Sequence, residues 1–252
     1  MNKSTLYSSI FIIAFGSICL IFFSCSQVIG DQKYSEGSST DQDGNEFEYI
    51  KYGAQVWSID DAQIVTYRDG TQIPKVSNSK EWESLNTGAW CYVDNDPTRG
   101  KLYNWYAVMG IHDDDENTPN KEFAPEGWRV PNEANWLILE KFLIKNGYNY
   151  DGSVIGNKIA KSMASQLDWY TTADNGAIGN QKDLNNKSGF NASPKGGRFY
   201  NGRFMFSKTI SFFWTSNDDI DLCFFLKDKE ESLMNRRNQS KRDGYSVRLI
   251  KD

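Results

Sequence analysis

Histidine is nearly absent from the 252-residue sequence, and cysteine is scarce: there is one His, at position 112, and there are four Cys, at positions 19, 25, 91 and 223. Each scarcity closes off chemistry. A Ser-His-Asp triad would have to use His112, which lies in the acidic run His112-Asp113-Asp114-Asp115-Glu116, and no Gly-x-Ser-x-Gly elbow accompanies it. A zinc site needs about four nitrogen or sulfur ligands, more than one His and two distant Cys can supply. Positive charge is in deficit too. With 28 Lys and Arg against 33 Asp and Glu, the formal net charge is −5, the wrong sign for a nucleic-acid partner. Long apolar runs are missing as well. The longest, residues 10–23, has 14 residues and falls short of the ~18–20 that cross a bilayer. Aromatics, by contrast, are plentiful: 14% of residues, with 8 Trp, which a disordered chain would lack.

The 14-residue run has its own meaning. Lys3 precedes it, and Ser24, Cys25 and Ser26 follow. A basic start, a short apolar core and a small residue before a break describe a secretory signal peptide over residues 1–24. Residues 22–25, Phe-Phe-Ser-Cys, resemble the lipobox of bacterial lipoproteins, with Phe22 standing where Leu is usual. The resemblance implies acylation of Cys25, and two lipid chains suffice for stable anchoring where one does not. With no Asp at position 26, the expected address is the outer membrane, on its periplasmic or its outer face. Residues 25–40, rich in Ser, Gly, Gln and charge, read as a flexible tether. The folded domain is then expected over 41–252. Of the cysteines, Cys91 and Cys223 remain for the domain, in an oxidising compartment. They either form one bridge across a long loop or stay as two buried thiols.

Within the domain, Asp43-Gly44-Asn45 and Tyr52-Gly53-Ala54 are turn signals around Phe47, Tyr49, Val56 and Trp57, predicting a β-hairpin. Residues 64–67 read as a further short strand. Leu102, Trp105, Tyr106 and Met109 share one helical face up to Gly110. A clearer helix starts at Pro131-Asn132-Glu133, carries the stripe Trp136, Leu139, Phe142 and Leu143, and stops at Asn146-Gly147. A third, weaker helix spans about residues 156–164. Gly, Asn and Ser dominate residues 174–203, and strand patterns return at 212–215, 222–226 and 246–250. Strands at both ends, two or three helices in the middle and a loop-rich second half predict an α+β domain whose termini meet.

Nine phrases in order then carry a resemblance. They begin with Asp43-Gly44-Asn45, Gly53-Ala54-Gln55-Val56-Trp57 and Tyr67-Arg68-Asp69-Gly70. The segments at 88–92 (Gly-Ala-Trp-Cys-Tyr) and 100–108 (Gly-Lys-Leu-Tyr-Asn-Trp-Tyr-Ala-Val) follow, then Gly127-Trp128-Arg129-Val130-Pro131. Ser188-Gly189-Phe190-Asn191-Ala192, Phe213-Trp214-Thr215-Ser216 and Ser246-Val247-Arg248 complete the set. Together they resemble the Fibrobacter succinogenes major paralogous domain, over roughly residues 41–252. The resemblance implies a C-type lectin-like fold, and residues 127–136 are also similar to the helix-opening phrase of formylglycine-generating enzymes. Members of the family are typically secreted or lipid-anchored. Two departures stand out. The family often ends Val-Arg-Cys, whereas Leu249 follows Arg248 here, so Cys91 faces either a substitute partner in Cys223 or Leu249. Where the family usually reads Met-Ala-Glu-Asn-Leu, this chain has Ser58-Ile59-Asp60-Asp61-Ala62. The cysteine pair that formylglycine generation needs near the end of the fold is reduced to Cys223.

Hard-oxygen ligands of the kind calcium takes occur at Asp94 and Asp96 and at Asp218, Asp219 and Asp221; these are the candidate metal ligands, and calcium is the only cofactor they suggest. No EF-hand register fits, because the one placing Gly44 sixth ends at Ile50. The triplets Glu-Pro-Asn and Trp-Asn-Asp, which lectins of this fold use for calcium-bound sugar, do not occur. Lys195-Gly196-Gly197-Arg198 is glycine-rich and basic but lacks the phosphate-loop pattern. These readings converge on a non-catalytic, lipid-anchored envelope protein that binds protein or glycan through the loops of a C-type lectin-like domain. The alternatives are an Asp/Glu-dependent enzyme acting on glycans, for which no carboxylate spacing stands out, and a structural envelope protein without a small ligand. Anchoring gives the most direct test. Cys25→Ala is expected to release the protein from the membrane fraction and to abolish metabolic labelling by a fatty-acid analogue; unchanged labelling would refute acylation.

Overall fold

A computed structural model describes residues 35–217 and 221–252. Its first turn is built by side chains. The Asp41 carboxylate accepts from the backbone N–H of Asp43 and Asn45, at 3.0 and 2.9 Å, while Gly44 takes the left-handed φ of 84° that the turn requires. Asp43 reaches across to accept from Thr66 N and from Val65 N. This turn joins β1 (Gly37–Thr40) to β2 (Glu46–Tyr52), and the turn at Gly53 joins β2 to β3 (Gln55–Ser58), all antiparallel. Strand β1 falls inside the stretch read as tether, so the fold begins before residue 41.

Helix α1 (Ser79–Glu83), capped by Asn78, precedes the hairpin of β4 (Trp90–Tyr92) and β5 (Lys101–Tyr103). Then come α2 (Trp105–Val108), β6 (Trp128–Arg129) and α3 (Glu133–Lys145). The second half holds α4 (Ala160–Met163), β7 (Gly197–Arg198), β8 (Phe204–Met205), β9 (Ile210–Trp214), β10 (Cys223–Lys227), β11 (Met234–Arg236) and β12 (Ile250–Lys251). The architecture is mixed helix and sheet with strands predominant, as the α+β expectation requires. The last strand, β12, lies between β3 and β6 in a five-stranded sheet of order β1-β2-β3-β12-β6, so strands from the two ends of the described chain share one sheet. A second sheet has the order β11-β10-β9.

The second sheet divides the core. Side chains alternate along a strand, and on β9 Phe212 and Trp214 join one cluster while Phe213 joins another. On β10 Cys223 goes with the first and Phe224 and Leu226 with the second. The first cluster gathers Trp90, Tyr103, Trp128 and Tyr245; the second gathers Trp57, Trp136, Trp169 and Phe190. Helix α3 serves the second cluster. Asn132 and Asn135 form a reciprocal capping box, and Trp136, Leu139 and Leu143 are buried along one face, with Phe142 half-buried beside them. Trp136 stacks on Phe224 at 5.0 Å and meets Trp57 edge-on at 4.9 Å.

Several expectations need correction. Leu102 belongs to β5, and α2 is a single turn from Trp105, because the Asn104 side chain caps Ala107 N and stops the strand there. Residues 64–67 form one bridge, Thr66 to Gln72, instead of a strand. The third helix is one turn. Of the two alternatives left open for the domain's cysteines, the structure has the buried thiols: Cys91 and Cys223 are both free. Cys91 on β4 lies opposite Leu102, in a third cluster around Trp82, while Cys223 on β10 lies opposite Trp214 and Arg236. The β10 strand therefore does not run beside the Trp90 segment, and Leu249 falls in the cluster of Cys223, not that of Cys91. Burial pushes the Cys91 thiol up to about 11 and the Cys223 thiol up to about 12, so neither is a reactive thiolate at neutral pH.

Trp136→Ala is expected to cost roughly 3–5 kcal/mol of stability, the usual loss for a fully buried large aromatic, read by denaturant unfolding. A loss below about 1 kcal/mol would contradict its place between Trp57 and Phe224.

Candidate functional site

Four segments converge behind the second core cluster. Residues 59–61 leave the end of β3, residues 165–168 follow α4, residues 186–195 form the long Asn- and Ser-rich loop, and Arg248 precedes β12. Backbone hydrogen bonds fasten them together. Ser165 N donates to Ala192 O at 2.8 Å, Ala192 N to Met163 O at 2.9 Å, and Ser58 N to Leu249 O at 2.9 Å. Between them lies an open cleft of about 350 Å³.

The floor of the cleft is ionic. Arg248 Nε lies 2.7 Å from Asp61 Oδ1, and Lys195 Nζ donates to Asp61 Oδ2 at 2.5 Å. The Asp61 and Arg248 side chains are 3% and 1% exposed. The Arg248–Asp61 contact is one of charge, outside hydrogen-bond alignment. The guanidinium makes its hydrogen bonds elsewhere: Nη1 donates to Ser58 O at 3.0 Å and Nη2 to Asn191 O at 3.4 Å. It also lies over Phe190, 4.6 Å from the ring centre, so the core cluster and the cleft floor share one side chain. Burial alone would lift the Asp61 carboxyl, but the Lys195 and Arg248 charges outweigh it and hold it below the ordinary carboxylate range.

The walls are polar and neutral, and the rim is acidic. Ser165, Gln166, Asn186, Asn191 and Ser193 line the sides, with Asp60 and Asp168 exposed at the edge and Leu167 as an apolar lip, 73% exposed. Asp168, Asn186 and Asn191 all take left-handed backbone conformations, with φ of 68°, 63° and 56°. Asp and Asn tolerate this region better than other side-chain-bearing residues, and such backbone gathers at ligand sites. Asn186 Oδ1 accepts from Asn191 N at 2.9 Å and fixes the loop.

The residues singled out from sequence lie elsewhere. Cys25, Asp218 and Asp219 fall outside the described residues. Asp94 pairs with Arg99, Asp96 accepts from Thr98 N and Oγ1, and Asp221 lies 4.0 Å from Lys241. Among the described residues, no group of three His, Cys, Asp or Glu side chains could hold a metal. His112 has its ring nitrogens 3.3 Å from the Asp113 carboxylate and 3.3 Å from Gly110 O. The basic Lys195–Arg198 segment is spent internally. Arg198 donates to Val76 O at 2.6 Å and Ser77 O at 2.9 Å and stacks over Trp82. The cleft residues carried two faint signals in the sequence: Asn191 and Arg248 sit in the family-like phrases, and Asp60-Asp61 is a departure from them.

The model of the Fibrobacter succinogenes major domain matches residues 50–251, and the chain belongs to that family. Neither curated proteins nor solved structures give a match to it.

Asp61→Asn tests the floor. It leaves Arg248 buried without its charge partner, and losing one partner of a buried pair costs roughly 3–5 kcal/mol. The pH dependence is specific. Because the folded carboxyl titrates below its unfolded value of about 3.9, its stabilisation is full above that value and is lost as pH falls through the folded one. The variant is therefore expected to lose less further stability than the parent between pH 6 and pH 3. Equal acid slopes in thermal melts would refute the pairing.

Proposed function

We propose that this protein is a non-catalytic binding module of the cell envelope, lipid-anchored at Cys25 to the outer membrane, with a C-type lectin-like fold and a glycan as its ligand. The observation that carries the reading is the make-up of the cleft. Amide, hydroxyl and carboxylate groups surround an open bowl whose two deep cations, Lys195 and Arg248, both contact the Asp61 carboxylate. Hydroxyl-rich ligands are recognised by such convergent neutral donors and acceptors. The exposed carboxylates of Asp60 and Asp168 disfavour anionic ligands. The family and the interlocked N- and C-terminal strands are consistent with the lectin-like fold.

Acid–base catalysis on glycans asks for a different site. It needs a carboxyl held protonated near neutral pH beside a second, ionised one. Among the described residues, the carboxyl groups lifted by burial are Glu140, Asp221 and Asp243, and none lines this cleft. The one buried carboxylate inside it, Asp61, is shifted the opposite way.

A glycan array probed with the mature chain in detergent, with and without calcium, is the test. Binding of neutral glycans, lost in Asn186→Ala and unchanged by chelation, is expected. Absence of any glycan signal would overturn the reading.

A further inference from the structure

A second cleft, of about 340 Å³, lies on the far side of the same loop. Tyr148, Tyr150, Asn175, Asn180, Leu184 and Lys187 line it. Lys187 faces this cleft while the preceding residue, Asn186, lines the first, so residues 184–187 are a wall common to both.

The two clefts are bolted together by one buried side chain. Asn185, 3% exposed, accepts from Lys161 Nζ at 3.0 Å through Oδ1. Through Nδ2 it donates to Ser165 O at 3.0 Å and Ile178 O at 3.2 Å. Lys161 lies beneath the second cleft and Ser165 lines the first. The Lys161 ammonium has further partners in Asn180 O and, at 3.0 Å, Gln181 O, so its three protons are spent and it offers a ligand no donor. Gln166 Nε2 ties the first cleft back to Asp183 O at 2.9 Å, and Asn186 N donates to Lys161 O at 3.2 Å. The wall is therefore rigid, and the spacing of the clefts is fixed.

Their chemistry differs in a complementary way. The first offers hydrogen-bonding amides and hydroxyls. The second offers two half-buried tyrosine rings and the exposed Leu184. The backbone is shaped to admit one of those rings: Gly176 takes φ 78°, and a Cβ there would come within 2.3 Å of Tyr150. Aromatic faces take the C–H side of a sugar ring and amides take its hydroxyl edge. Each cleft is at the low end of the roughly 300–1,000 Å³ range of small-molecule sites.

On the strength of the glycan reading above, we propose that the two clefts are adjacent subsites for one chain-like ligand, a neutral polysaccharide that crosses the wall at residues 184–187. A unit hydrogen-bonds in the first cleft, the chain passes over the wall, and a later unit stacks on Tyr148 and Tyr150. Linking two weak contacts through one chain raises apparent affinity steeply with ligand length until both are filled.

The test is calorimetry of the mature chain in detergent with cello-, manno- and xylo-oligosaccharides of one to eight units. For at least one series, affinity is expected to rise tenfold or more once the oligomer spans both clefts and then to level off. Tyr150→Ala and the surface exchange Leu184→Ser are each expected to remove that gain while leaving the affinity of the shortest bound oligomer within about twofold. Leu184 is 58% exposed, so its exchange reports on binding without disturbing the core. Length-independent binding, or a gain that survives both exchanges, overturns the two-subsite proposal and leaves the glycan reading standing. No binding in any series overturns the two-subsite proposal, and only the absence of any signal on the glycan array as well overturns both.

Discussion

Arg248 is the residue on which the core and the cleft both depend. Its guanidinium is buried, and a buried charge is tolerated only when paired and hydrogen-bonded. Here the charge partner is Asp61, just past β3; the hydrogen bonds go to Ser58 at the end of β3 and to Asn191 in the long loop; and the planar face rests on Phe190. Three segments far apart in sequence are thus obliged to meet at one side chain. Insertion of β12 between β3 and β6 brings Arg248 there, and Leu249 N bonded to Ser58 Oγ at 2.9 Å fixes its height. Without that closure of the sheet by the chain's last strand, neither the floor of the cleft nor the anchor of its loop would exist.

The parts of the fold that were legible in sequence are those where local rules and burial agree. Helix α3 is the clearest case: Pro131 and Asn132 open it, Trp136, Leu139 and Leu143 repeat with the helical period, and Asn146-Gly147 closes it. The β2–β3 hairpin was legible for the same reason, since Gly53 marks a turn between alternating strands. Residues 64–67 have strand-like composition but spend their backbone on side chains: Asp43 takes the Val65 and Thr66 N–H groups, and Tyr103 Oη donates to Ile64 O. Composition cannot reveal a partner that arrives from another segment. The Leu102–Met109 periodicity misled in a related way, because a strand residue and a one-turn helix fall at helical spacing while serving different clusters, Leu102 the third and Trp105 the first.

The cleft was less legible because its residues are of types that usually mark solvated loop. Ser165, Gln166, Asn186 and Ser193 carry no periodicity and no spacing rule. The family-like phrases pointed mainly at the scaffold. Trp57, Phe190, Phe213 and Trp214 all turn out to be core, and Asn191 and Arg248 are the ones that face the cleft. Sequence resemblance thus located the framework that holds the loops, while the chemistry sits on the loops themselves.

The residue at position 61 shows how one side chain sets the charge of the floor. The floor holds two fixed cations, Lys195 and Arg248, and one anion, Asp61, below a rim carrying Asp60 and Asp168. With Asp61 present, one positive charge is cancelled at contact distance and the guanidinium is turned toward Ser58 and Asn191 instead of solvent. An amide at the same place would keep the shape of the floor but leave both cations uncompensated, and a half-enclosed pair of cations draws carboxylates and phosphates. The acidic rim would then work against the floor. In this chain the two deep cations share one carboxylate, and the exposed carboxylates of the rim lie above them. Asp61 therefore does more than change surface chemistry; it places a carboxylate between the two cations of the floor and lets the Arg248 side chain stay buried.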